Sequence, residues 1–168
     1  RFSNFDKIIF CGMGGSGIPG YVLRDLVDVP VIVNQGLNVG RHVDKNTLAF
    51  VVSYSGNTME TISMYKEVVK KTDKIVTVTS GGKLLKAKNV VVIPGGNLPK
   101  NSFHQLFFPI LNVLRSSGVL RFNVQDVIKS IRLVDKNQTK RIAMKLKNKI
   151  PIVYAGNDYY GVALRWKQ

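Results

Sequence analysis

Short apolar runs alternate along the chain with segments whose apolar positions recur at helical spacing. Five of these runs are rich in Val and Ile and almost continuous in apolar character, which is typical of strands covered on both faces of a parallel sheet. We predict strands at Lys7–Phe10, Pro30–Val33, Leu48–Val52, Lys74–Val78 and Asn89–Ile93. This alternation of strand and helix predicts right-handed crossovers and an open, doubly wound α/β sheet with five parallel strands.

The segments between the strands supply the helices of the predicted fold. We expect helices at Ile18–Val27, Thr58–Lys70 and Ser102–Ser117, and a short turn near Lys83–Ala87. Ser102 is the predicted N-cap of the longest helix, and Gly118 is its predicted C-terminal stop. We assign residues 1–120 to this first unit.

The segment 121–149 differs from the rest in its charge. Its apolar positions predict two amphipathic helices with a break near Asn137. Between Val124 and Lys149, only Asp126 and Asp135 oppose the basic residues, which are Lys129, Arg132, Lys136, Lys140, Arg141, Lys145, Lys147 and Lys149. A basic patch that binds RNA is one interpretation, but no aromatic residue interleaves with these side chains. We favour a solvated helical connector.

Residues 150–168 resemble the opening of a second α/β unit that is incomplete within this chain. Pro151–Asn157 resembles a strand followed by a glycine turn, and we predict a helix from Tyr160 onward. The helix would end with the chain at Gln168.

Composition limits the class of protein further. The chain has 168 residues, 45% of them hydrophobic, which is enough for a sizeable core, yet no apolar run is long enough to span a bilayer. The single cysteine, Cys11, excludes a disulfide framework and suits a reducing compartment, so we expect a cytoplasmic protein. The formal charge of +15 fits either an anionic partner or a lysine-rich solvated surface. We favour the solvated surface and do not expect a nucleic-acid partner.

A glycine-rich loop, Cys11–Gly17, follows the first predicted strand, and we call it the first loop. Its glycines match the spacing G-x-G-x-x-G of dinucleotide-binding folds. Such a fold also needs an acidic residue near the end of the second strand, where this chain has Asn34 and Gln35. A P-loop would need Gly-Lys-Ser/Thr, which is absent. The dinucleotide interpretation therefore lacks its ribose anchor and is disfavoured, beside an anion-binding loop and a purely structural glycine turn.

A second loop, Ser53–Thr58, follows the third predicted strand. The spacing of Ser53, Ser55 and Thr58 allows a tight turn at Gly56 to direct three hydroxyls at one oxyanion. Capping of the following helix by Ser55 or Thr58 is the simpler interpretation, and both can hold at once. Two such loops at the carboxyl ends of strands in one sheet predict a site for a phosphorylated small molecule.

Several of these motifs resemble one family. Gly12–Gly17 and Ser53–Thr58 are similar to the signatures of SIS (sugar isomerase) domains, most closely those of the bifunctional phosphoglucose/phosphomannose isomerases. The similarity extends to Ile93–Gly96 with Pro99-Lys100, to the Phe- and Leu-rich helix that contains Pro109, and to Ala163–Gln168. It therefore covers nearly the whole chain, with Ala163–Gln168 resembling the start of a second SIS domain.

The resemblance implies roles for particular residues. The phosphate of the substrate would be held by Gly15, Ser16, Ser53, Ser55 and Thr58. Lys100 is the catalytic candidate, because it stands where the family usually has an arginine that stabilises charge on the reacting sugar. A lysine keeps that charge but lacks the planar, bidentate fork of an arginine.

The function that the resemblance implies is the interconversion of glucose 6-phosphate, and with it mannose 6-phosphate, with fructose 6-phosphate. It implies a cis-enediol(ate) intermediate, no metal or organic cofactor, and a homodimer. The family's general-base glutamate and ring-opening histidine follow the Arg165–Gln168 motif, so we expect this chain alone to lack the base. The alternative is a non-catalytic SIS regulator that binds a sugar phosphate.

The acidic and imidazole side chains that the chain does contain are expected to serve elsewhere. We interpret Glu60 as a partner of the helix dipole, since it falls in the first turn after the second loop. Glu67 is interpreted as an exposed helix-face residue. We expect His42 and His104 to be surface or capping residues.

Overall fold

The computed structural model describes residues 1–132 and 135–167, and its first 120 residues contain a five-stranded parallel sheet. The strands are β1 (Lys7–Cys11), β2 (Val31–Asn34), β3 (Thr47–Val52), β4 (Ile75–Thr79) and β5 (Val90–Val92), in the spatial order β2-β1-β3-β4-β5. Every neighbouring pair is parallel. All five predicted strands are confirmed, with ends displaced by at most one residue, and so is the doubly wound fold class.

The described helices are α1 (Ile18–Arg24), α2 (Met59–Val68), α3 (Phe103–Ser116), α4 (Val124–Arg132), α5 (Lys136–Leu146) and α6 (Tyr160–Lys167). Short 3-10 turns occur at Gly14–Ser16, Lys83–Lys86, Pro99–Asn101 and Asn157–Tyr159. The three helices predicted in the first unit are present, although α1 and α2 are shorter than expected. Among the described residues, no helix has the combined length and apolar character that crossing a bilayer requires.

Two apolar layers cover the sheet. On one face Phe10 and Phe50 pack in a cluster with Leu114 of α3, and on the other face Ile9 and Met64 share a cluster with α2. The helices lie on opposite faces because the chain passes from β1 to β2 on one side and then returns to β3 on the other. The carboxyl ends of β1 and β3 therefore form the topological switch point, where ligands of such sheets bind.

The two ends of α3 were predicted with different success. The stop at Gly118 is confirmed, because Gly118 has a φ of 78°. The Gly118 N–H donates to the Arg115 carbonyl, and the Val119 N–H donates to the Leu114 carbonyl. Ser102 precedes the helix as predicted, but its hydroxyl donates back to the Leu98 carbonyl at 3.1 Å. Ser102 is therefore the N-cap residue of α3, as predicted, but its side chain makes no capping hydrogen bond.

The break between the two connector helices lies earlier than predicted. The described part of α4 ends at Arg132, α5 begins at Lys136, and Asn137 belongs to the first turn of α5. The Asp135 carboxylate caps that turn by accepting from the Asn137 N–H at 2.8 Å, and this cap starts the helix ahead of the predicted break. Val134, one of the predicted apolar positions, lies outside the described residues.

The predicted strand at 151–157 is not formed. Residues 151–156 are irregular and exposed, with Ile152 72% and Tyr154 89% accessible. A strand needs a neighbour for its N–H and C=O groups, and none of the described strands lies beside this segment. The helix predicted from Tyr160 is confirmed as α6, and Gln168 lies outside the described residues.

Candidate functional site

A hydrogen bond joins the two loops at the switch point. The Tyr54 N–H of the second loop donates to Ser16 Oγ of the first loop at 3.2 Å. Ser16 accepts this bond, and its hydroxyl hydrogen has no acceptor among the described residues. The fold therefore places a free hydroxyl donor from the first loop against the backbone of the second loop.

Ser53 and Thr58 form a second contact, within the second loop. Ser53 Oγ lies 3.1 Å from Thr58 Oγ1 and also accepts from the Gly56 N–H at 3.1 Å. Ser53 is only 1% exposed, and in the described structure Thr58 Oγ1 is the only acceptor within reach of its hydrogen. Because buried hydroxyls are normally paired, Ser53 donates to Thr58, which leaves the Thr58 hydrogen free for a ligand.

Ser55 does not join this pair. It is exposed, and its Oγ accepts from the Asn57 N–H at 3.3 Å, which closes a local turn. Neither Ser55 nor Thr58 accepts from an N–H of α2, so the capping interpretation is not observed for either side chain. The predicted convergence of three hydroxyls thus reduces to the contact between Ser53 and Thr58, with Ser55 exposed outside it.

Unpaired N–H groups occur at the start of α2 and in the turn of the first loop. At the start of α2, the N–H groups of Met59, Glu60 and Thr61 donate no hydrogen bond within the described residues. The same holds for Gly14 and Gly15 in the turn of the first loop. An uncapped helix N-terminus and free backbone donors in a glycine turn are each suited to bind an oxyanion.

A third loop, Thr79–Gly82 after β4, supports the second loop and was missed by the sequence reasoning. The Ser80 N–H and hydroxyl donate to the Tyr54 carbonyl at 3.0 and 2.6 Å. Thr79 Oγ1 donates to the Gly81 carbonyl at 2.9 Å. The signal was available, because a Thr-Ser-Gly-Gly string follows an apolar strand in the same way as the other two loops do.

Close packing between the second and third loops explains two glycines. Gly56 has a φ of 65°, and a Cβ at this position would overlap the Gly81 carbonyl oxygen. Gly82 has a φ of 70° and would likewise overlap the Ser55 carbonyl oxygen. Both positions require glycine for conformation and for space, so the tight turn predicted at Gly56 is confirmed.

Tyr54 also contacts the segment of chain that precedes Lys100. Its buried hydroxyl accepts from the Asn97 N–H at 2.9 Å and donates to the Pro94 carbonyl at 3.5 Å. The turn Pro99–Asn101, which carries Lys100, contacts the turn Gly14–Ser16 of the first loop. Lys100 itself is exposed, and its ammonium forms no ion pair or hydrogen bond among the described residues. The turn that carries Lys100 thus lies next to the first loop.

Two buried or partly buried ionisable groups lie away from the loops' hydroxyls. Cys11 is fully buried at the end of β1, and burial, followed by the charge of Glu67, raises the pKa of its thiol to about 12. Glu67 is not the exposed face residue that we predicted, because its Oε2 accepts from the Val39 N–H at 3.0 Å and holds the loop after β2.

The remaining candidate groups have surface positions. Glu60 lies in the first turn of α2, as predicted, and His42 and His104 are exposed. Within the described ranges, no three His, Cys, Asp or Glu side chains cluster as a metal site would require.

Sequence comparisons identify related proteins. A family model of the bacterial phospho-glucose isomerase C-terminal SIS domain matches residues 135–168, a range that begins inside our predicted connector. A bifunctional phosphoglucose/phosphomannose isomerase from Thermoplasma acidophilum is 36% identical over 176 residues, covering 99% of this chain and 55% of the relative. A D-glucosamine-6-phosphate 4-epimerase from Sulfolobus acidocaldarius is also 36% identical, covering 97% of this chain and 56% of the relative.

Solved structures share the fold at low sequence identity. The tagatose-6-phosphate ketose/aldose isomerase of Escherichia coli superposes with a TM-score of 0.63 at 15% identity, over 98% of this chain and 52% of the other. The C-terminal domain of glucosamine-fructose-6-phosphate aminotransferase from Francisella tularensis gives 0.58 at 14% identity, over 96% and 54%. The chain spans about half the length of the curated relatives that it matches.

Proposed function

Because the chain is a homologue of the bifunctional phosphoglucose/phosphomannose isomerases along nearly its whole length, we propose that it forms the phosphate-binding wall of a sugar-phosphate isomerase. The family resemblance seen in the motifs is thereby confirmed. The proposed reaction interconverts glucose 6-phosphate, and also mannose 6-phosphate, with fructose 6-phosphate. The observation that supports it best is the free Thr58 hydroxyl beside the uncapped start of α2.

The proposed site holds the phosphate with neutral donors. Thr58, Ser55 and Ser16 supply hydroxyls, and Gly15 supplies a backbone N–H, while the buried Ser53 orients Thr58. Hydrogen bonds to a charged oxyanion are about twice as strong as neutral ones. Because the donors are part of the fold before the ligand arrives, little ordering is needed on binding.

The chemistry of the reaction requires charge stabilisation near the carbons that exchange a proton. Moving a proton between adjacent carbons creates an enediolate oxyanion, which a nearby cation stabilises. We assign this role to Lys100, whose turn contacts the first loop and whose ammonium projects from an exposed position. The carboxylate base is expected outside this chain, as the family motif implies.

A coupled assay tests this function in the protein that carries this chain. Formation of glucose 6-phosphate from fructose 6-phosphate would be followed through its oxidation by a dehydrogenase. We expect turnover by the intact protein, and binding without turnover by the 168-residue chain. Loss of the general base costs about 10²–10⁴-fold, so the two cases are easily separated. Binding without turnover by the intact protein would favour the sugar-phosphate-binding regulator instead.

The 36% identical epimerase from Sulfolobus acidocaldarius supports a second candidate function. An amino-sugar 6-phosphate could occupy the same phosphate loops, because it carries the same 6-phosphate group. The same preparation should therefore be incubated with glucosamine 6-phosphate and its products separated by chromatography. Epimerisation at carbon 4 without conversion of fructose 6-phosphate would replace the isomerase proposal.

Two further properties of the family are proposed for this protein. We expect it to act in the cytoplasm and to form a homodimer. Sedimentation velocity of the intact protein at micromolar concentration would show a single species of twice the chain mass if the dimer exists.

A further inference from the structure

A small pocket of about 260 Å³ lies beside the first loop. Gly14 of the first loop, Gln35 after β2 and Lys167 of α6 contribute its polar lining, while Ile18 and Leu164 contribute apolar surface. The sheet order places β2 and β3 on opposite sides of β1. The pocket and the second loop therefore lie on opposite sides of the first loop, so that a ligand bound at one could extend to the other.

Close packing of α6 on α1 holds Lys167 at this pocket. Gly161 lies directly against the α1 backbone, where a Cβ would overlap the Val22 nitrogen. The Tyr160 ring meets the Tyr21 ring edge-on, with centroids 5.4 Å apart, and the Arg24 guanidinium lies 5.6 Å from both centroids. Aromatic and cation–π contacts of this kind stabilise a fixed arrangement of two helices.

The lining suits a polyhydroxylated carbon chain. The Gln35 amide offers donors and an acceptor, although its Oε1 already accepts from the Tyr21 hydroxyl at 3.5 Å. Lys167 offers an ammonium donor, so that hydroxyls of either polarity can be paired. Ile18 and Leu164 can cover the C–H faces of such a chain. A 3-10 turn rises about 2 Å per residue, so Gly14 and Ser16 are only about 4 Å apart along it. A six-carbon chain attached to a phosphate at the loops is long enough to cross that turn.

We propose that Gln35 and Lys167 bind the hydroxyl-bearing carbon chain of the sugar phosphate and thereby determine which sugars the site accepts. This inference rests on the proposed function, because it takes the position of the phosphate from the two loops. It assigns a specificity role to α6, a helix that the phosphate contacts do not involve.

Paired NMR titrations of the 168-residue chain test this subsite. Fructose 6-phosphate and inorganic phosphate would each be added to the wild type, to Gln35→Ala and to Lys167→Met. Lys145→Met on the exposed α5 is the matched control for the loss of one positive charge. We expect each pocket variant to weaken fructose 6-phosphate binding about threefold to tenfold and to change inorganic phosphate binding less than twofold, since each removes one or two hydrogen bonds. The Lys145→Met control should leave both affinities unchanged.

The outcomes separate the subsite from the phosphate site. If Lys167→Met weakened the binding of fructose 6-phosphate and of inorganic phosphate equally, Lys167 would only attract anions in general. That result would overturn the proposed subsite. Unchanged fructose 6-phosphate affinity in both pocket variants would overturn it as well, provided that Thr58→Ala still weakens phosphate binding. If the wild type binds neither ligand, the proposed function fails and the subsite fails with it.

Discussion

Ser53 Oγ and Thr58 Oγ1 lie 3.1 Å apart, and this pair links the buried end of β3 to the start of α2. Ser53 also accepts from the Gly56 N–H at 3.1 Å, so that one buried hydroxyl contacts both the turn and Thr58. We propose that Ser53 positions Thr58 rather than contacting the ligand itself, since Ser53 is only 1% exposed.

Replacement of Ser53 by Ala should therefore reduce the free energy of unfolding. The change removes two hydrogen bonds and leaves the Gly56 N–H without its side-chain acceptor, for an expected loss of about 1–3 kcal/mol. Ser55→Ala is the matched control, because its single bond is exposed and should cost less than about 0.5 kcal/mol. Urea denaturation measures both, and equal effects of the two substitutions would argue against the proposed role of Ser53.

Gly56→Ala should destabilise the protein more strongly. The new methyl group would overlap the Gly81 carbonyl oxygen in a backbone region with a φ of 65°. Strain of this kind costs about 1–3 kcal/mol before any steric clash is added. Gly81→Ala in the neighbouring loop is the control, because a Cβ there meets no atom within 4 Å. A thermal melt in which both variants match the wild type would show that the two loops are not closely packed.

Because the Cys11 thiol is buried, we predict that the free energy of unfolding falls as the pH rises above 9. The folded-state pKa of Cys11 is raised from 9.0 to about 12, chiefly by burial, so the unfolded chain loses the thiol proton first as the pH rises. The stabilisation from the neutral thiol is complete below pH 9 and is lost between pH 9 and 12, at about 1.4 kcal/mol per pH unit.

The comparison with Cys11→Ala isolates this effect, because the two proteins differ only at the thiol. Urea denaturation between pH 8 and 10.5 should give a steeper fall in stability for the wild type than for the variant. Parallel curves, or rapid reaction of the native thiol with a disulfide reagent at pH 8, would show that Cys11 is accessible to water.

The basic helices predict weak binding to nucleic acid. Lys136, Lys140 and Lys145 of α5 are exposed, with no ion pair to any described carboxylate. Exposed charges of this kind attract phosphates without reading sequence, and the attraction falls steeply with salt. Filter binding at physiological salt should be weak and equal for unrelated RNAs. A tight, sequence-selective complex would mean that the charge serves an RNA partner.

The sheet and the first two loops could be predicted from sequence because their signals are local. Strands buried on both faces, such as Leu48–Val52, appear as continuous apolar runs, and Gly56 marks a turn that only glycine allows. The roles of Ser53 and Ser80 depended on contacts between segments far apart in the chain, which periodicity does not reveal. The segment 151–157 was misread because an apolar run forms a strand only when a neighbouring strand is present.

The central claim is that the second loop binds the phosphate of a sugar phosphate, and a direct titration tests it. Calorimetry would compare fructose 6-phosphate binding to the wild type and to the double variant Ser55→Ala/Thr58→Ala. We predict a loss of about 2–4 kcal/mol in binding free energy, from about 1–2 kcal/mol for each hydrogen bond to the charged phosphate. Unchanged affinity in a double variant with an intact circular dichroism spectrum would contradict the account and remove the second loop from the site.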